Sequence, residues 1–415
     1  MKENTSQLSR RLTLNDAIFL GLGSMIGAGI FAAAAPAAKA AGSGLLFAIA
    51  IAGTAAYFNA TSMAQLAARY PESGGTYVYG RNQLGPLWGY LAGWGFVIGK
   101  IASCTAMALT FGYYFFPQYA HVVAVATVIF LTTVNYFGVK KTARVTRILV
   151  AIVLSTLIVL VVGLWLGGEA QVSRITQGVS SFNLFGVLEA SGLMFFAFAG
   201  YARVATLGEE VVNPKSTIPK AILWALGITI GIYFIVVGST LLVLPVEVLA
   251  NSPAPLAVAI EQTRFSELAP LVRIGAAVAS LSVLLSLIAG ISRTVFAMAR
   301  QKDLPFFLSS IHSRYKTPDR AEILVGSVVA FIVGFADMRM AIGFSSFAIL
   351  IYYAIANLSA LTLTKADRFF PKIFALLGLI ICIVLAANLP LMSVLSGSGV
   401  FTCGIIWFYL RRRFQ

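Results

Sequence analysis

Residues 21–31 of the chain read GLGSMIGAGIF, which places four glycines within nine residues of an apolar segment. Glycine weakens an α-helix by about 1 kcal/mol relative to alanine. A glycine cluster in such a segment therefore indicates either a face on which helices pack closely or a break in the helix. A second segment of this kind follows, where Gly200 lies within the sequence FFAFAGY at 195–201 and Gly192 and Gly208 lie on either side of it.

The composition of the chain indicates a membrane protein. Of 415 residues, 59% are hydrophobic and 11% are charged, whereas soluble domains carry about 25% charged residues. This excludes a soluble enzyme, a disulfide-stapled secreted module and a disordered chain. The apolar runs are long and continuous, unlike the short alternating strands of a membrane β-barrel. Because a membrane helix takes about 20 apolar residues, the sequence predicts an all-α polytopic membrane protein.

Charged residues, prolines and loop residues divide the chain into twelve predicted transmembrane spans. A stretch at 245–268 with three prolines and three glutamates is predicted to form a structured loop between spans seven and eight. The predicted spans are 14–38, 44–67, 85–116, 119–138, 146–168, 185–208, 219–244, 269–299, 321–337, 340–362, 370–389 and 391–410.

The distribution of basic residues predicts the orientation of these spans. Of the 30 Lys and Arg residues, 22 fall in segments on one side, five on the other and three within spans. Because cytoplasmic loops carry the excess of basic residues, we expect a protein of the cell (inner) membrane with both termini in the cytoplasm. These loops account for the net charge of +15, so the expected partner is the lipid bilayer and not a nucleic acid.

The two glycine-rich segments occupy matching positions in two groups of five spans. They are the first and the sixth span, and interrupted segments at corresponding places in two halves point to a transporter binding site. Because each group has an odd number of spans, the second must lie inverted in the membrane. The predicted units are a tail at 1–13, a first repeat at 14–168, a second repeat at 185–362, two further spans at 370–410 and a tail at 411–415.

Five motifs follow one another along the chain: GSMIGAGIF at 23–31, YPESGGTY at 70–77, NYFGVK at 135–140, EEVVNP at 209–214 with IPKA at 218–221, and SRTVFAMAR at 292–300. On these motifs the chain resembles permeases of the amino acid–polyamine–organocation (APC) superfamily, of the bacterial amino acid permease type. The resemblance covers almost the whole chain. It implies a five-plus-five inverted repeat (LeuT-like) with alternating access, spans one and six unwound, and two additional C-terminal helices.

The resemblance also implies where a substrate binds. Free backbone N–H groups in the unwound part of span one would bind its carboxylate, since a helix N-terminus favours an anion. Carbonyl groups at the break in span six would bind its amino group, and an aromatic ring would close over it. The implied residues are Ile26, Gly27, Ala28 and Gly29 for the carboxylate, Phe196, Ala197 and Ala199 for the amino group and the aromatic lid, and Tyr201 and Ala202 for the side chain.

Charged residues inside predicted spans are costly in a membrane and therefore indicate functional positions. Lys100 lies roughly 21 Å along its span, counted at 1.5 Å per residue, and its neighbours in sequence include no acidic residue. Two interpretations stay open. Lys100 takes up and releases a proton during transport, or it pairs with backbone carbonyls or with Glu189.

Four other charged residues are candidates for coupling or gating. Glu189 is predicted to lie within reach of the outer vestibule, where it would contact substrate or a proton. Arg203 stands where the family pattern has a small residue. Glu209, of the pair Glu209-Glu210, and Arg293 close spans six and eight and are predicted to belong to the inner gate.

The sequence leaves two coupling ions possible, the proton and sodium. Many proton-coupled relatives carry a lysine early in span five, where this chain has Val153, and many relatives have a carboxylate where it has Ala202. Lys100 or Arg203 would then supply the missing positive charge. A sodium site at Ser280, Ser282 and Ser286 is the alternative.

The sequence thus predicts a permease that moves an amino acid without a cofactor, a resident metal or an obligate partner chain. A cationic side chain would lack a counter-ion, because no acidic residue lies deep in span three or six. This favours proton-coupled uptake of a neutral amino acid. The alternatives are amino acid exchange (antiport), an anionic substrate, basic amino acid or polyamine transport, and a membrane nutrient sensor. No phosphate-binding loop and no polar cluster indicates an enzyme.

Overall fold

The computed structural model describes residues 12–71, 74–138, 143–176, 183–205 and 210–413. Within these ranges the chain is helical, and its one β pairing is an isolated bridge between Leu12 and Val211. The α-helices are α1 (Leu14–Met25), α2 (Ala28–Ala32), α3 (Ala34–Ala41), α4 (Leu45–Arg69), α5 (Thr76–Leu84), α6 (Pro86–Phe115), α7 (Ala120–Tyr136), α8 (Ala143–Leu166), α9 (Ser173–Thr176), α10 (Leu184–Phe198), α11 (Ala202–Ala205), α12 (Pro214–Val243), α13 (Val246–Asn251), α14 (Pro255–Glu261), α15 (Ala269–Arg300), α16 (Asp319–Phe335), α17 (Met338–Leu361), α18 (Lys372–Ala387) and α19 (Leu391–Arg413).

Ten helical segments of the described chain are long and apolar enough to cross a membrane. They coincide with ten of the twelve predicted spans, which confirms an all-α polytopic membrane protein. The other two predicted spans, 321–337 and 370–389, correspond to α16 and α18, which have 17 and 16 residues. Helices of this length rise about 25 Å, less than the ~30 Å hydrocarbon core. The count of twelve spans, the inverted repeat and the unit boundaries stay predictions.

Both glycine-rich spans are interrupted. In span one, α1 ends at Met25, and Ile26 and Gly27 leave the helical conformation before α2 begins. In span six, α10 ends at Phe198 and a 3₁₀ turn at Ala199–Tyr201 leads into α11. A helix that stops leaves backbone N–H or C=O groups without a partner in the helix.

The stretch 245–268 is a structured loop, as predicted. It contains α13, α14 and a 3₁₀ turn at Ser266–Leu268. α13 packs on α3, and α14 packs on α15. This loop therefore covers one end of the helical bundle.

Arg81 and Arg411 surround the buried Asp303 at one face of the bundle, here named the basic face. The Asp303 carboxylate is fully buried and accepts hydrogen bonds from the Tyr77 hydroxyl at 2.7 Å, Arg81 Nη1 at 2.7 Å and Arg411 Nη2 at 3.2 Å. α6 begins near this cluster, and its 30 residues rise about 45 Å. Tyr114, near the other end of α6, therefore lies at the opposite face, here named the far face.

Candidate functional site

A cavity of about 260 Å³ lies beside both interruptions. This is slightly below the ~300–1,000 Å³ of typical ligand pockets, so it suits a small molecule. Its walls come from α1, α6, the interrupted span six and α15. The lining includes Leu20, Gly23 and Ser24 of α1, Phe96, Lys100, Ser103 and Met107 of α6, Phe196, Ala199, Gly200, Ala202 and Arg203 of span six, and Val283, Ser286, Leu287, Gly290 and Arg293 of α15.

The cavity reaches the basic face and is closed towards the far face. Its lining extends to Gly74, Tyr77 and Glu210, which lie near the Asp303 cluster and the Leu12–Val211 bridge. At the far face, the Tyr114 hydroxyl donates to the Phe31 carbonyl at 3.0 Å and accepts from the Leu256 N–H at 3.3 Å. Tyr114 thus joins α6, α2 and α14 across that end.

The implied carboxylate residues in span one are tightly packed. A Cβ on Gly27 would lie 2.2 Å from Val283 Cγ2, and a Cβ on Gly29 would lie 2.7 Å from Ala197 Cα. Ile26 is buried as well. Ala28 begins α2, and its side chain lies outside the part that the structure describes. The lining residues of span one lie one turn earlier, so carboxylate binding at 26–29 stays a prediction.

Tyr233 of α12 connects the two interruptions. Its buried hydroxyl lies 2.6 Å from the Met25 carbonyl oxygen and 3.0 Å from the Ala197 carbonyl oxygen, so the two acceptors share its single hydrogen. Met25 ends α1 and Ala197 lies in the last turn of α10. The sequence does not reveal this role of Tyr233, because a tyrosine inside an apolar span shows nothing of its partners.

Lys100 belongs to α6, and its side chain reaches the C-terminal end of α10. Its Nζ is 3.5 Å from the Ala199 carbonyl oxygen, which also accepts from the Tyr353 hydroxyl at 3.3 Å. This contact agrees with the backbone-carbonyl interpretation of Lys100. Glu189 is half-buried on α10, and in the described ranges no ion pair joins it to Lys100.

The residues implied in span six divide between cavity and core. Phe196, Ala199 and Ala202 line the cavity. Ala197 packs against Gly29 instead. Tyr201 is fully buried, and its ring stacks on Tyr353 with 5.0 Å between centroids. Their contact with a substrate is not tested and stays a prediction.

Three predicted coupling or gating residues line the same cavity: Lys100, Arg203 and Arg293. Among the described lining residues, Glu210 is the one acidic side chain. Glu209 lies outside the described residues. The positive excess creates a potential that attracts an anionic group such as a carboxylate.

Three buried acidic residues were not singled out from the sequence. Asp303 holds Tyr77 at the mouth of the cavity, Asp16 pairs with Arg147 of α8, and Glu322 is buried in α16. Each lies within four residues of a predicted span boundary. A charged residue at such a position is normally interpreted as an exposed loop residue. The tertiary packing that buries them has no local signal.

The described residues hold no group of His, Cys, Asp and Glu that could bind a metal ion. The serines considered for sodium donate to their own helix: Ser280 Oγ to the Ala276 carbonyl at 2.7 Å and Ser286 Oγ to the Ser282 carbonyl at 3.0 Å. Such bonds are common for serine in apolar helices. A sodium site here is untested.

The comparison with protein families decides the assignment of this bundle and its cavity. The model of the family described as "Amino acid permease" matches residues 16–408. The chain belongs to the amino acid permease family. This agrees with the interrupted spans and the resemblance seen in the motifs.

Relatives of this permease are named for different functions. An uncharacterized transporter of Mycobacterium tuberculosis is 56% identical over 406 residues, which cover 98% of this chain and 92% of that protein. The branched-chain amino acid permease BcaP of Bacillus subtilis is 26% identical over 444 residues, 98% and 94% of the two chains. Cationic amino acid transporter 4 of Homo sapiens is 26% identical over 391 residues, 88% and 61% of the two chains.

Proposed function

We propose that this permease is a secondary transporter that takes up a neutral amino acid together with protons by alternating access. The observation that carries the proposal is the cavity at two helix interruptions, which reaches one face of the bundle and is closed at the other. Transport needs a second state in which the access is reversed. Because cytoplasmic segments carry the excess of basic residues, we assign the basic face to the cytoplasmic side of the cell membrane.

The charges of the cavity support an α-amino acid with a neutral side chain. Lys100, Arg203 and Arg293 favour a carboxylate, whereas a cationic side chain would meet like charges. Phe196, Met107 and Leu287 give the lining an apolar part that suits an aliphatic side chain. A branched-chain permease among the relatives supports this choice, and cationic transporters among them represent the alternative.

Lys100 is the proposed site of one coupling proton. In its protonated form it donates to the Ala199 carbonyl and adds positive charge to the cavity. That charge attracts the substrate carboxylate, so protonation and substrate binding stabilise each other. Because such linkage is reciprocal, substrate and proton travel together.

The test is uptake of a panel of labelled amino acids into proteoliposomes with an inward proton gradient and a clamped membrane potential. For each cotransported proton, one pH unit sustains about tenfold accumulation. We expect Lys100→Met to lower the accumulation ratio about tenfold per pH unit, corresponding to one proton fewer. Lys39→Met, at an exposed lysine of α3, is the matched control and should retain the wild-type ratio.

Two outcomes would contradict the proposal. Uptake that ignores the proton gradient and requires amino acid inside the vesicles would identify an exchanger. An unchanged ratio in Lys100→Met would leave Lys100 with a structural or substrate-shaping role only.

A further inference from the structure

Glu322 is a buried carboxyl group that the proposed site does not use. It lies in the first turn of α16 with 2% of its surface exposed. Its Oε1 is buried and has no hydrogen-bond partner among the described residues. An ionised carboxylate is costly in such a place unless it is paired and fully hydrogen-bonded. The neutral, protonated form therefore suits this conformation.

Four elements pack against α16 around this group: α7, α6, α15 and a 3₁₀ turn at Phe306–Ser309. The polar neighbours on α7 and α15 are Asn135 and Ser292, whose side chains lie within reach of the Glu322 carboxyl group. Each also donates to a helix carbonyl, at 3.1 Å and 2.8 Å, and Glu322 Oε1 stays without a partner. The 3₁₀ turn carries no ionisable side chain.

The charged neighbours connect Glu322 to the cavity. Arg293 of α15 interacts with Glu322 and also lines the cavity. On α6, Cys104 lies near both Glu322 and Lys100. α16 itself carries Asp319, which accepts from Ser310, and the exposed Arg320. Arg293 is thus the cation shared by the cavity and the buried carboxyl group.

We propose that Glu322 is a second proton-binding site of the transport cycle, linked to the substrate through Arg293. When a substrate carboxylate occupies the cavity, it engages the positive charge of Arg293, and Glu322 retains a proton. When the cavity empties, Arg293 becomes the counter-ion of Glu322, which releases its proton. Substrate and proton binding are then positively linked, as symport requires. This inference rests on the proposed function and adds a proton site to it.

The test compares Glu322→Gln, which mimics the protonated acid, with Glu322→Asp, which keeps an ionisable group. Glu169→Gln changes an exposed loop glutamate and serves as the control. Each variant is assayed for accumulation under a one-unit proton gradient, for counterflow exchange at equal pH, and for substrate-induced proton uptake in detergent with a pH-indicator dye. The substrate is the amino acid that the wild type accumulates best.

We expect Glu322→Gln to lower the accumulation ratio about tenfold, the equivalent of one proton per cycle. It should reduce substrate-induced proton uptake and keep counterflow at the wild-type rate. Glu322→Asp and Glu169→Gln should retain all three properties.

Two results would overturn the inference. The first is an unchanged accumulation ratio and unchanged proton uptake in Glu322→Gln. The second is a parallel loss of counterflow and accumulation in that variant, which would indicate a structural role at the start of α16. Failure of the proposed function is a separate result. In that case the wild-type protein itself shows no gradient-driven accumulation of any amino acid in the panel.

Discussion

The two interrupted spans are stabilised in different ways. Span one is interrupted where glycines allow contact with neighbouring backbone and side chains, as with Gly29 against Ala197 and Gly27 against Val283. Span six is interrupted where polar side chains from other helices reach its carbonyl groups, as Lys100 and Tyr353 do at Ala199. Close backbone packing at glycines thus dominates at the first break, whereas two polar side chains meet at one carbonyl of the second.

This difference explains the charge of the cavity wall. A helix N-terminus, as at α2, carries partial positive charge, and a helix C-terminus, as at α10, carries partial negative charge. The negative end attracts a cation, and the protein supplies Lys100 there. The positive end needs an anion, which the proposed substrate carboxylate would supply.

The largest effect is expected where the two breaks touch. A Cβ on Gly200 would lie 2.1 Å from the Ser24 carbonyl oxygen and 2.7 Å from the Met25 nitrogen. Gly200→Ala forces these backbone segments apart and should cost about 3 kcal/mol of stability. We expect a lower apparent Tm in detergent and loss of substrate binding.

Gly227→Ala is the matched control, because a Cβ there meets no atom within 4 Å and alanine favours the helix by up to about 1 kcal/mol. A Gly200→Ala variant with the Tm and binding of this control would show that the two breaks do not pack as described.

Tyr233→Phe should have the next largest effect, because it removes one donor from both interruptions. The carbonyl oxygens of Met25 and Ala197 lose the single hydroxyl hydrogen that they share. Leaving buried acceptors unsatisfied costs about 1–3 kcal/mol. The variant should melt at a lower temperature than wild type and bind substrate more weakly. Tyr57→Phe, at a tyrosine that is 40% exposed, should leave Tm unchanged; equal shifts in both variants would refute the bridging role.

The smallest effect is expected for Tyr353→Phe. The Ala199 carbonyl loses one donor but keeps Lys100, so the change should cost about 1 kcal/mol. A double-mutant cycle with Lys100→Met measures whether the two donors act on the same acceptor. We expect the double variant to lose more stability than the sum of the single variants, with a coupling of about 0.5 kcal/mol or more. Additive losses of stability would show that Lys100 and Tyr353 do not act on the same carbonyl group.

The sequence predicted these features unevenly. The glycine cluster at 21–31 indicated a packing face or a break in span one, because glycine both weakens a helix and permits close contact. The resemblance to APC permeases then implied the break. The position of Lys100 within an apolar run predicted its burial. Neither pattern could predict that Lys100 meets Ala199, since the two lie on different helices whose packing has no local signal. The same holds for Tyr233, Asp303 and Glu322.

The sequence by itself determined that this chain is an all-α membrane protein of the amino acid permease family with two interrupted helices. Long apolar runs, glycine clusters and motif order are local properties, and the membrane requires every backbone group in such runs to bond within its helix. The tertiary structure alone decided which side chains satisfy the groups left free at the breaks. It also decided which charges share the cavity, because helices distant in sequence bring Lys100, Arg203 and Arg293 together.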